Sequence, residues 1–544
     1  MKKDASDQVV AQVDRGDAER LVYAYEHVDG LEVPQVTWWK HRGLRRLYIM
    51  MPVLFLGSTT NGYDGSLLNG LQTMDPWQSY FNHPTGSRLG LITAIQQIGA
   101  ICALLFSSYV ADLFGRRIGV CAGLTTLFVG TILQVVPASN HLGMFLGGRF
   151  LVGFGSNLTQ GSAPLLIMEL AHPQHRGKLT TMYNTLWYLG SIIAAWTVFG
   201  TVKYTSDAAW RIPVGMQAAM PLIQFAFIFL LPESPRWLCS KDRLDEAFAI
   251  LVRYHANGDS TDHFVKSEFQ EIQETLRLEK IAENSGWSDF LKTPGNRKRL
   301  LLIALTAFFS QCSGNGLASY YLHDILNSVG ITSSYNQSLI NGGLQIWSFL
   351  VAIFFSLFVD KVGRKVLFMI AAVGMLFVFS TLTACSAVYA QSGNSGAGSA
   401  VIAMIFLFYF VAGFAWPGLT IGYSAEILPY NIRAKGIAIS LALTAAASVF
   451  NQYVNPIGLQ HLAWKFYFVY VAILVIECLC IWFLFVETKG PTLEEIARLF
   501  DGDSANVSGK EVLGEKAATA GHALGIHVDE RMVGAFCHCS RDIC

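Results

Sequence analysis

Two side chains in this sequence carry charge where a charge is costly. Asp64 and Arg149 each fall inside an apolar run of bilayer-spanning length, and an ionised group there must be paired or neutralised. An aspartate that can either pair with an arginine or take up a proton has two states of different charge, which is what carrying a proton across a membrane requires. At about 1.5 Å per residue the two groups lie within one helical turn of the same depth. Glu477 is a second intramembrane carboxyl and the competing proton carrier. No evident cation lies on an adjacent run, so it reads as a carboxyl held by a neighbouring helix.

Uncharged polar residues recur at helical spacing in other runs. Gln311, Asn315 and Ser319 are four apart, Asn341, Gln345 and Ser348 follow a four-then-three spacing, and Asn451 and Asn455 are again four apart. The spacing predicts one helix face for each set. An amide offers both a donor and an acceptor, so these faces suit a ligand built of hydroxyl groups. Tyr320, Tyr321, Trp416 and Tyr423 offer ring faces to the apolar side of such a ligand. The competing role is to join helices, at about 0.6 to 2 kcal/mol each. For one residue the two roles stand even; concentration of the set in the second half of the chain favours a ligand.

The elements that must position these groups are membrane spans. Apolar residues make up 52% of the chain and charged residues 14%, against roughly 25% charged in a soluble domain. Runs of about 20 apolar residues, enough to cross a bilayer, fall near 48–66, 89–110, 118–136, 142–165, 179–201 and 211–231. A second set falls near 300–322, 338–359, 366–388, 400–424, 434–458 and 464–486. The fold expected is an all-α membrane protein of twelve transmembrane helices in two six-helix halves, 48–231 and 300–486. A tail at 1–47, a central loop at 232–299 and a tail at 487–544 complete the chain. The turn Asp112-Leu113-Phe114-Gly115-Arg116-Arg117 recurs as Asp360-Lys361-Val362-Gly363-Arg364-Lys365 in the corresponding place of the second half, so the halves are related repeats, an architecture of secondary transporters.

Arg116, Arg117, Arg176, Lys178, Lys361, Arg364, Lys365, Arg433 and Lys435 gather in short loops on one side, against Arg88, Lys203 and Lys465 on the other. The positive-inside rule puts the richer side, both termini and the central loop in the cytoplasm. Trp38-Trp39 and the basic residues after them read as an interfacial anchor. The first residues lack the apolar core of a cleavable signal peptide. Lys and Arg total 39 and Asp and Glu total 39, so net charge gives no support for a nucleic-acid partner. Cys102, Cys121, Cys239, Cys312, Cys385, Cys478 and Cys480 are scattered and read as packing residues. Cys537, His538, Cys539 and Cys544 read as part of a disordered terminus rather than a metal or lipid site. Asn336-Gln337-Ser338 is a glycosylation acceptor on the outer side. No nucleotide-binding loop or metalloenzyme signature appears. No cofactor and no enzymatic activity are expected, and energy must come from gradients.

Several phrases in order resemble the sugar porter family of the major facilitator superfamily, from about Gly62 to Ile496. They are the two charged turns, Gly62-Tyr63-Asp64, Gly148-Arg149-Phe150 with Gly153 and Gly155, and Glu169 before Arg176-Gly177. Pro232-Glu233-Ser234-Pro235-Arg236-Trp237-Leu238, Glu426 before Arg433-Ala434-Lys435-Gly436, and Glu487-Thr488-Lys489-Gly490 follow. Ser313 to Tyr321 and Asn451 to Pro456 look like the fungal lactose permease and oligosaccharide porter branch. The resemblance implies a sugar held mainly by the second half, with Asn184 and Ser191 as matching positions in the first, where the family usually has glutamines. Departures at Ser310, Asn315, Ser348, Asn184 and Ser191 leave a roomier cavity than a single hexose needs and favour a disaccharide or larger glycoside. Asp112, Arg116, Arg117, Glu169, Arg176, Glu233, Arg236, Asp360, Arg364, Glu426, Arg433 and Glu487 are expected to pair between the halves and latch the outward-open state.

The reading is a monomeric, proton-coupled sugar importer of the plasma membrane. A sugar sensor and a transporter of a hexose or a non-sugar metabolite stand as alternatives; a sensor would carry a longer signalling tail. Topology is the first thing to test. Accessibility tags beside Ser334 and Ser260 are expected to report the outside and the cytoplasm respectively, and both tags on one side would overturn the arrangement.

Overall fold

Backbone N–H and C=O groups find no water inside a bilayer, so an apolar chain crosses it as helix and bonds to itself. The computed structural model describes residues 25–28, 31–34, 36–136, 141–282, 287–356, 362–490 and 493–501. Asp360, Lys361, Asn506 and the cysteines of the C-terminal end lie outside the described residues. Within them the chain is helical apart from one hairpin, β1 Tyr25–Val28 paired antiparallel with β2 Leu31–Pro34.

Twelve spans follow among the described residues. The first five are Pro52–Leu71, Gly86–Phe114, Arg116–Val135, His141–Leu170 and Pro173–Thr201. The sixth comes in two pieces, Ala208–Met216 and Ala219–Phe227. The seventh is also broken, into Pro294–Cys312 and Asn315–Tyr320, and the tenth into Ser395–Ala412 and Trp416–Glu426. Between these lie Ser334–Ser356 and Arg364–Ser392, and the last two spans are Tyr430–Leu462 and Tyr467–Leu484. Eight helical stretches are long and apolar enough to cross a membrane by length and composition alone; one of these, Lys435–Leu484, runs through the last two spans. Spans one, four and five are not among the eight, and each is rich in hydroxyl and amide side chains.

Spans two and three pack on span four, and span one on span five. Small residues set these distances, because lipid offers no hydrophobic drive between helices and close packing must supply the attraction. A Cβ on Gly153 would lie 1.9 Å from the Gln96 carbonyl oxygen, so any larger residue would force spans two and four apart.

The charged turns lock each half internally. The Arg116 guanidinium pairs with Glu169 at 3.1 Å and with Asp112 at 2.9 Å. The backbone N–H groups of Arg116 and Arg117, at the start of span three, donate to the Glu233 carboxylate at 3.1 and 3.2 Å. The second half repeats this: Arg364 pairs with Glu426 at 3.1 Å, and the Arg364 and Lys365 N–H groups donate to Glu487 at 2.7 and 3.1 Å. In both copies a carboxylate caps the positive end of a helix. Arg433 donates to the Leu428 carbonyl of its own half. The pairs expected between the halves belong to the outward-open state, and none of the described pairs bridges the halves in this conformation. Each described pair closes within one half, because its partners sit at the ends of neighbouring spans of the same repeat.

Short helices cover the charged end. Arg42–Met50, ahead of span one, lies against Leu244–His255, and the Gly43 N–H donates to Asn257 at 2.7 Å. Leu493–Asp501 is fastened to the start of span seven by Arg299, 1% exposed, which pairs with Asp501 at 2.8 Å. His255 holds the central helices to span four. Its Nδ1 meets Glu268 at 2.7 Å and its Nε2 meets the Leu170 carbonyl at 3.2 Å. Both partners are acceptors, so the ring fits best with both nitrogens protonated. Burial by itself disfavours that charge, but the Glu268 carboxylate and the Leu170 carbonyl outweigh it and raise the pKa above the ordinary 6.5. Neighbouring His172 is pushed by burial down to about 2 and stays neutral.

A folded-state pKa raised above 6.5 contributes stability that is present below that value and is lost as pH rises through the folded one. Amide protection in Leu244–His255 and His263–Ala282, taken relative to the base-catalysed intrinsic exchange rate, should accordingly fall at alkaline pH in the native protein. In His255→Gln that protection should be low and should not change with pH. Equal protection of the two proteins across the range would show that the pair holds nothing.

Candidate functional site

Asp64, on span one, has no exposed surface. Its Oδ1 accepts a 3.0 Å hydrogen bond from the Gln217 side-chain amide, and its Oδ2 has no hydrogen-bond partner. Gln217 sits at the break of span six. Pro221 has no N–H to return to the Gln217 carbonyl, so the helix is interrupted there and the glutamine is turned toward span one. Arg149, on span four and 3% exposed, donates from Nε to the Ile92 carbonyl at 2.8 Å and from a terminal nitrogen to Gln96 Oε1 at 2.7 Å. Asp64 and Arg149 lie within electrostatic reach of each other. The direct pair expected from the sequence does not form among the described residues, because span two takes the guanidinium and span six takes the carboxyl.

The second polar group surrounds the break in span seven. The four-residue spacing of Gln311, Asn315 and Ser319 does not make one continuous face, because the helix stops at Cys312 and restarts at Asn315. Gly314 takes φ +106°, which a residue with a Cβ adopts only under strain. Gln311 thus ends one helix and Asn315 opens the next, both half-buried. Gln311 donates to the Ser310 hydroxyl at 3.3 Å, Asn315 to the Ser310 carbonyl at 2.9 Å. Gln345 bonds Asn341 one turn away at 3.3 Å, and Ser348 bonds the Leu344 carbonyl at 2.9 Å. Trp416 opens the second piece of span ten, its indole N–H without a partner and its ring 5.1 Å from Phe368. Asn184 is exposed. Ser319 bonds the Tyr409 hydroxyl of span ten, but Gln311, Asn315, Gln345, Ser348, Trp416 and Asn184 spend their polar atoms within their own span or on no described partner.

Other expected ligand contacts bond to a neighbouring helix in this conformation. Ser191 is fully buried, bonded to Ser66 at 2.8 Å and to the Gly62 carbonyl at 3.2 Å. Asn451 and Asn455 form a closed network with Tyr470 of span twelve. Tyr423 bonds the backbone of Val486 and stacks on Phe485 at 5.1 Å. Asn341 accepts from Asn69 at 2.9 Å, and the Tyr321 hydroxyl meets Thr93 at 2.7 Å and the Gln452 carbonyl. Tyr320 is half-buried near Arg149, its carbonyl accepting from Gln72 at 3.0 Å.

The bonds from Asn341, Tyr321 and Tyr320 cross between the halves, as does Thr73 to Ser338 at 3.0 Å. All of them lie at the end opposite the charged turns, where this conformation is closed. Asn336 is exposed, but Ser338 of its acceptor triplet is fully buried in the first turns of a helix rather than in a surface loop.

Sequence reasoning passed over Gln217, Asn69, Thr93 and Ser313. Pro213 and Pro221, framing Gln217, were the signal for a broken span. Thr93 is a polar residue in an apolar run, as Asn341 is, whereas Asn69 lies past the end of the run at 48–66, in the last turn of the helix Pro52–Leu71.

A family model described as "Sugar (and other) transporter" matches residues 50–500. The MFS-type transporter criB of Aspergillus cristatus is 32% identical over 81% of this chain and 90% of its own length. The high-affinity glucose transporter of Kluyveromyces lactis is 28% identical over 84% of this chain and 85% of its own. Among solved structures, the inward-open conformation of the xylose transporter XylE from E. coli superposes with a TM-score of 0.69 at 20% identity, covering 84% of this chain and all of that one. With twelve helical spans, a shared architecture and a match across most of its length, the chain belongs to the sugar (and other) transporter family of the major facilitator superfamily.

Proposed function

We propose that this protein is a plasma-membrane importer that carries a sugar together with a proton, exposing one central site to each side of the membrane in turn. The observation that carries the coupling is the state of Asp64. It is a fully buried carboxyl with one amide donor, one unpartnered oxygen and no ion pair. Burying a carboxylate in this way is strongly unfavourable, and a bound proton removes the charge. Arg149 stands near enough to reward ionisation once its bonds to span two loosen, so Asp64 has a use for both states.

The basic residues favour a cytoplasmic position for the charged turns, which would put the closed end on the outside. The domain divisions at 47, 231, 299 and 486 follow from the same topology. Substrate hydroxyls would meet Gln311, Asn315, Gln345 and Asn184, with Trp416 against the ring. Short side chains at Ser310, Ser348 and Asn184 leave space for a second sugar unit, which favours a disaccharide or oligosaccharide of the lactose permease type. A non-sugar metabolite is the second reading, supported by the 32% identical relative, which is named only as an MFS-type transporter. Arg116, Glu169, Arg364 and Glu426, paired within each half, would keep the halves rigid as they rock.

Uptake of labelled mono-, di- and trisaccharides by a transport-null cell tests the substrate class. No uptake of any sugar by a well-expressed protein would move the assignment to the second reading. For the contacts, Gln311→Ala or Asn315→Ala should weaken affinity for the best substrate by about 0.5 to 1.5 kcal/mol, roughly two- to twelvefold in KM, with expression unchanged. If neither variant alters KM, both residues only shape the break.

For the coupling, Asp64→Asn keeps the size and polarity of the side chain but cannot titrate. Accumulation against a gradient should vanish while sugar exchange survives, and Arg149→Gln should alter the pH dependence of uptake. Wild-type accumulation and external alkalinisation in Asp64→Asn would place the proton elsewhere.

A further inference from the structure

The break in span seven touches a group that the mechanism above leaves idle. Glu477, on span twelve, has no exposed surface, and no cation pairs with it among the described residues. Its Oε1 has no hydrogen-bond partner, and its Oε2 meets the hydroxyl of Ser313. Ser313 is the residue at which the first helix of span seven ends. The same hydroxyl also meets the Phe309 carbonyl one turn back, at 2.5 Å. That carbonyl belongs to the last turn of the helix, where carbonyls lose their intrahelical donors and need another.

Hydrogen counting decides the protonation state. A serine hydroxyl has one proton to give, and a backbone carbonyl and a carboxylate are both acceptors. If Glu477 were ionised, one of the two contacts would set oxygen against oxygen with no hydrogen between. If Glu477 carries a proton, both are satisfied: the carboxyl O–H donates to Ser313, and Ser313 donates to the Phe309 carbonyl. The titratable groups nearby are Cys478 and Cys480 on the same helix, with Cys312 and Tyr470 beside the break. Each is neutral or anionic, so none offsets a negative charge on Glu477.

We propose that Glu477 holds a proton in this conformation and thereby fastens the break of span seven, making it a positioning residue for Gln311 and Asn315. These two flank Ser313 at two residues on either side. When the halves rock and water reaches the carboxyl, its proton passes to water. The Ser313 hydroxyl then turns to the carboxylate, and the Phe309 carbonyl loses its donor. The last turn of the first helix loosens, and Gln311 moves with it. Affinity for the ligand is therefore linked to a second titration, distinct from that of Asp64. The positioning half of this proposal rests on the reading of Gln311 and Asn315 as ligand contacts; the protonation half does not.

Two measurements on the purified full-length protein test the halves separately, both in an Asp64→Asn background so that Asp64 contributes no signal. In infrared difference spectra taken without substrate, Glu477→Gln should remove a carbonyl band of a protonated carboxyl group. Ser313→Ala should shift that band toward the frequency of a carboxyl with no hydrogen-bond partner. A spectrum unchanged by Glu477→Gln overturns the proposal, whatever the protein transports. In binding of the best transported substrate, the Asp64→Asn protein should lose affinity as pH rises, approaching tenfold per pH unit above the titration. Adding Glu477→Gln, whose amide can still donate to Ser313, should hold the low-pH affinity at every pH. If that slope persists with glutamine at 477, or is absent before the change is made, Glu477 does not position the site.

Discussion

Water is missing from the bilayer core, and every polar group placed there must find its partner inside the protein. That constraint makes the spans helical and gives their interruptions meaning. Where span six breaks, the Gln217 side chain supplies a donor to Asp64. Where span seven breaks, Ser313 serves the Phe309 carbonyl and Asn315 serves the Ser310 carbonyl. At both interruptions polar side chains thus lie beside a buried carboxyl, Gln217 beside Asp64 and Ser313 beside Glu477. A helix break in this protein is both a structural weakness and the place where chemistry becomes possible.

The two halves are held within themselves and to each other by interactions of different strength. Within each half an arginine pairs with a carboxylate, and a second carboxylate caps the start of a span. Charge-assisted bonds of this kind are roughly twice as strong as neutral ones. Between the halves the described hydrogen bonds join neutral groups, among them Asn69 with Asn341, Thr73 with Ser338 and Thr93 with Tyr321. Each contributes on the order of 1 kcal/mol net. A joint of this strength separates and re-forms on the scale of the energy one transported charge supplies, about 2.3 kcal/mol per 100 mV, whereas the charged locks stay shut. Rigid halves with a weak seam are what a rocking motion requires.

Carboxyls in the spans follow from the same rule by two routes. Asp64 sits near a cation it does not touch, and the proposed coupling would use that neighbour to favour the ionised state once the seam moves. Glu477 has no cation and a single hydroxyl partner, so its environment rewards the proton in this conformation. Two buried acids of the same chemical type are separated in role by what the neighbouring helix places opposite them.

How much of this was legible beforehand depends on the range of the interaction. Twelve spans, a duplicated half and the placement of Asp64, Arg149, Gln311 and Asn315 in apolar runs follow from hydropathy and residue type, because the cost of exposing backbone or charge to lipid is local to each run. The pairing of polar groups is not local. Helical spacing assigns Asn341 and Asn451 to a face, the resemblance marks Ser191 and residue type marks Tyr423, but none of these gives the helix that the side chain meets. Only packing revealed that Asn69, Tyr470, Ser66 and the Val486 backbone stand there and consume their hydrogen bonds. Likewise the split of Gln311 from Asn315 follows from the φ of +106° at Gly314, which the four-residue spacing does not show. Sequence by itself determined which residues cross the membrane and which of them are polar there. Tertiary structure decided which of those polar groups are already satisfied, because a hydrogen bond needs its partner within about 3 Å and chain spacing within one helix cannot supply a partner from another.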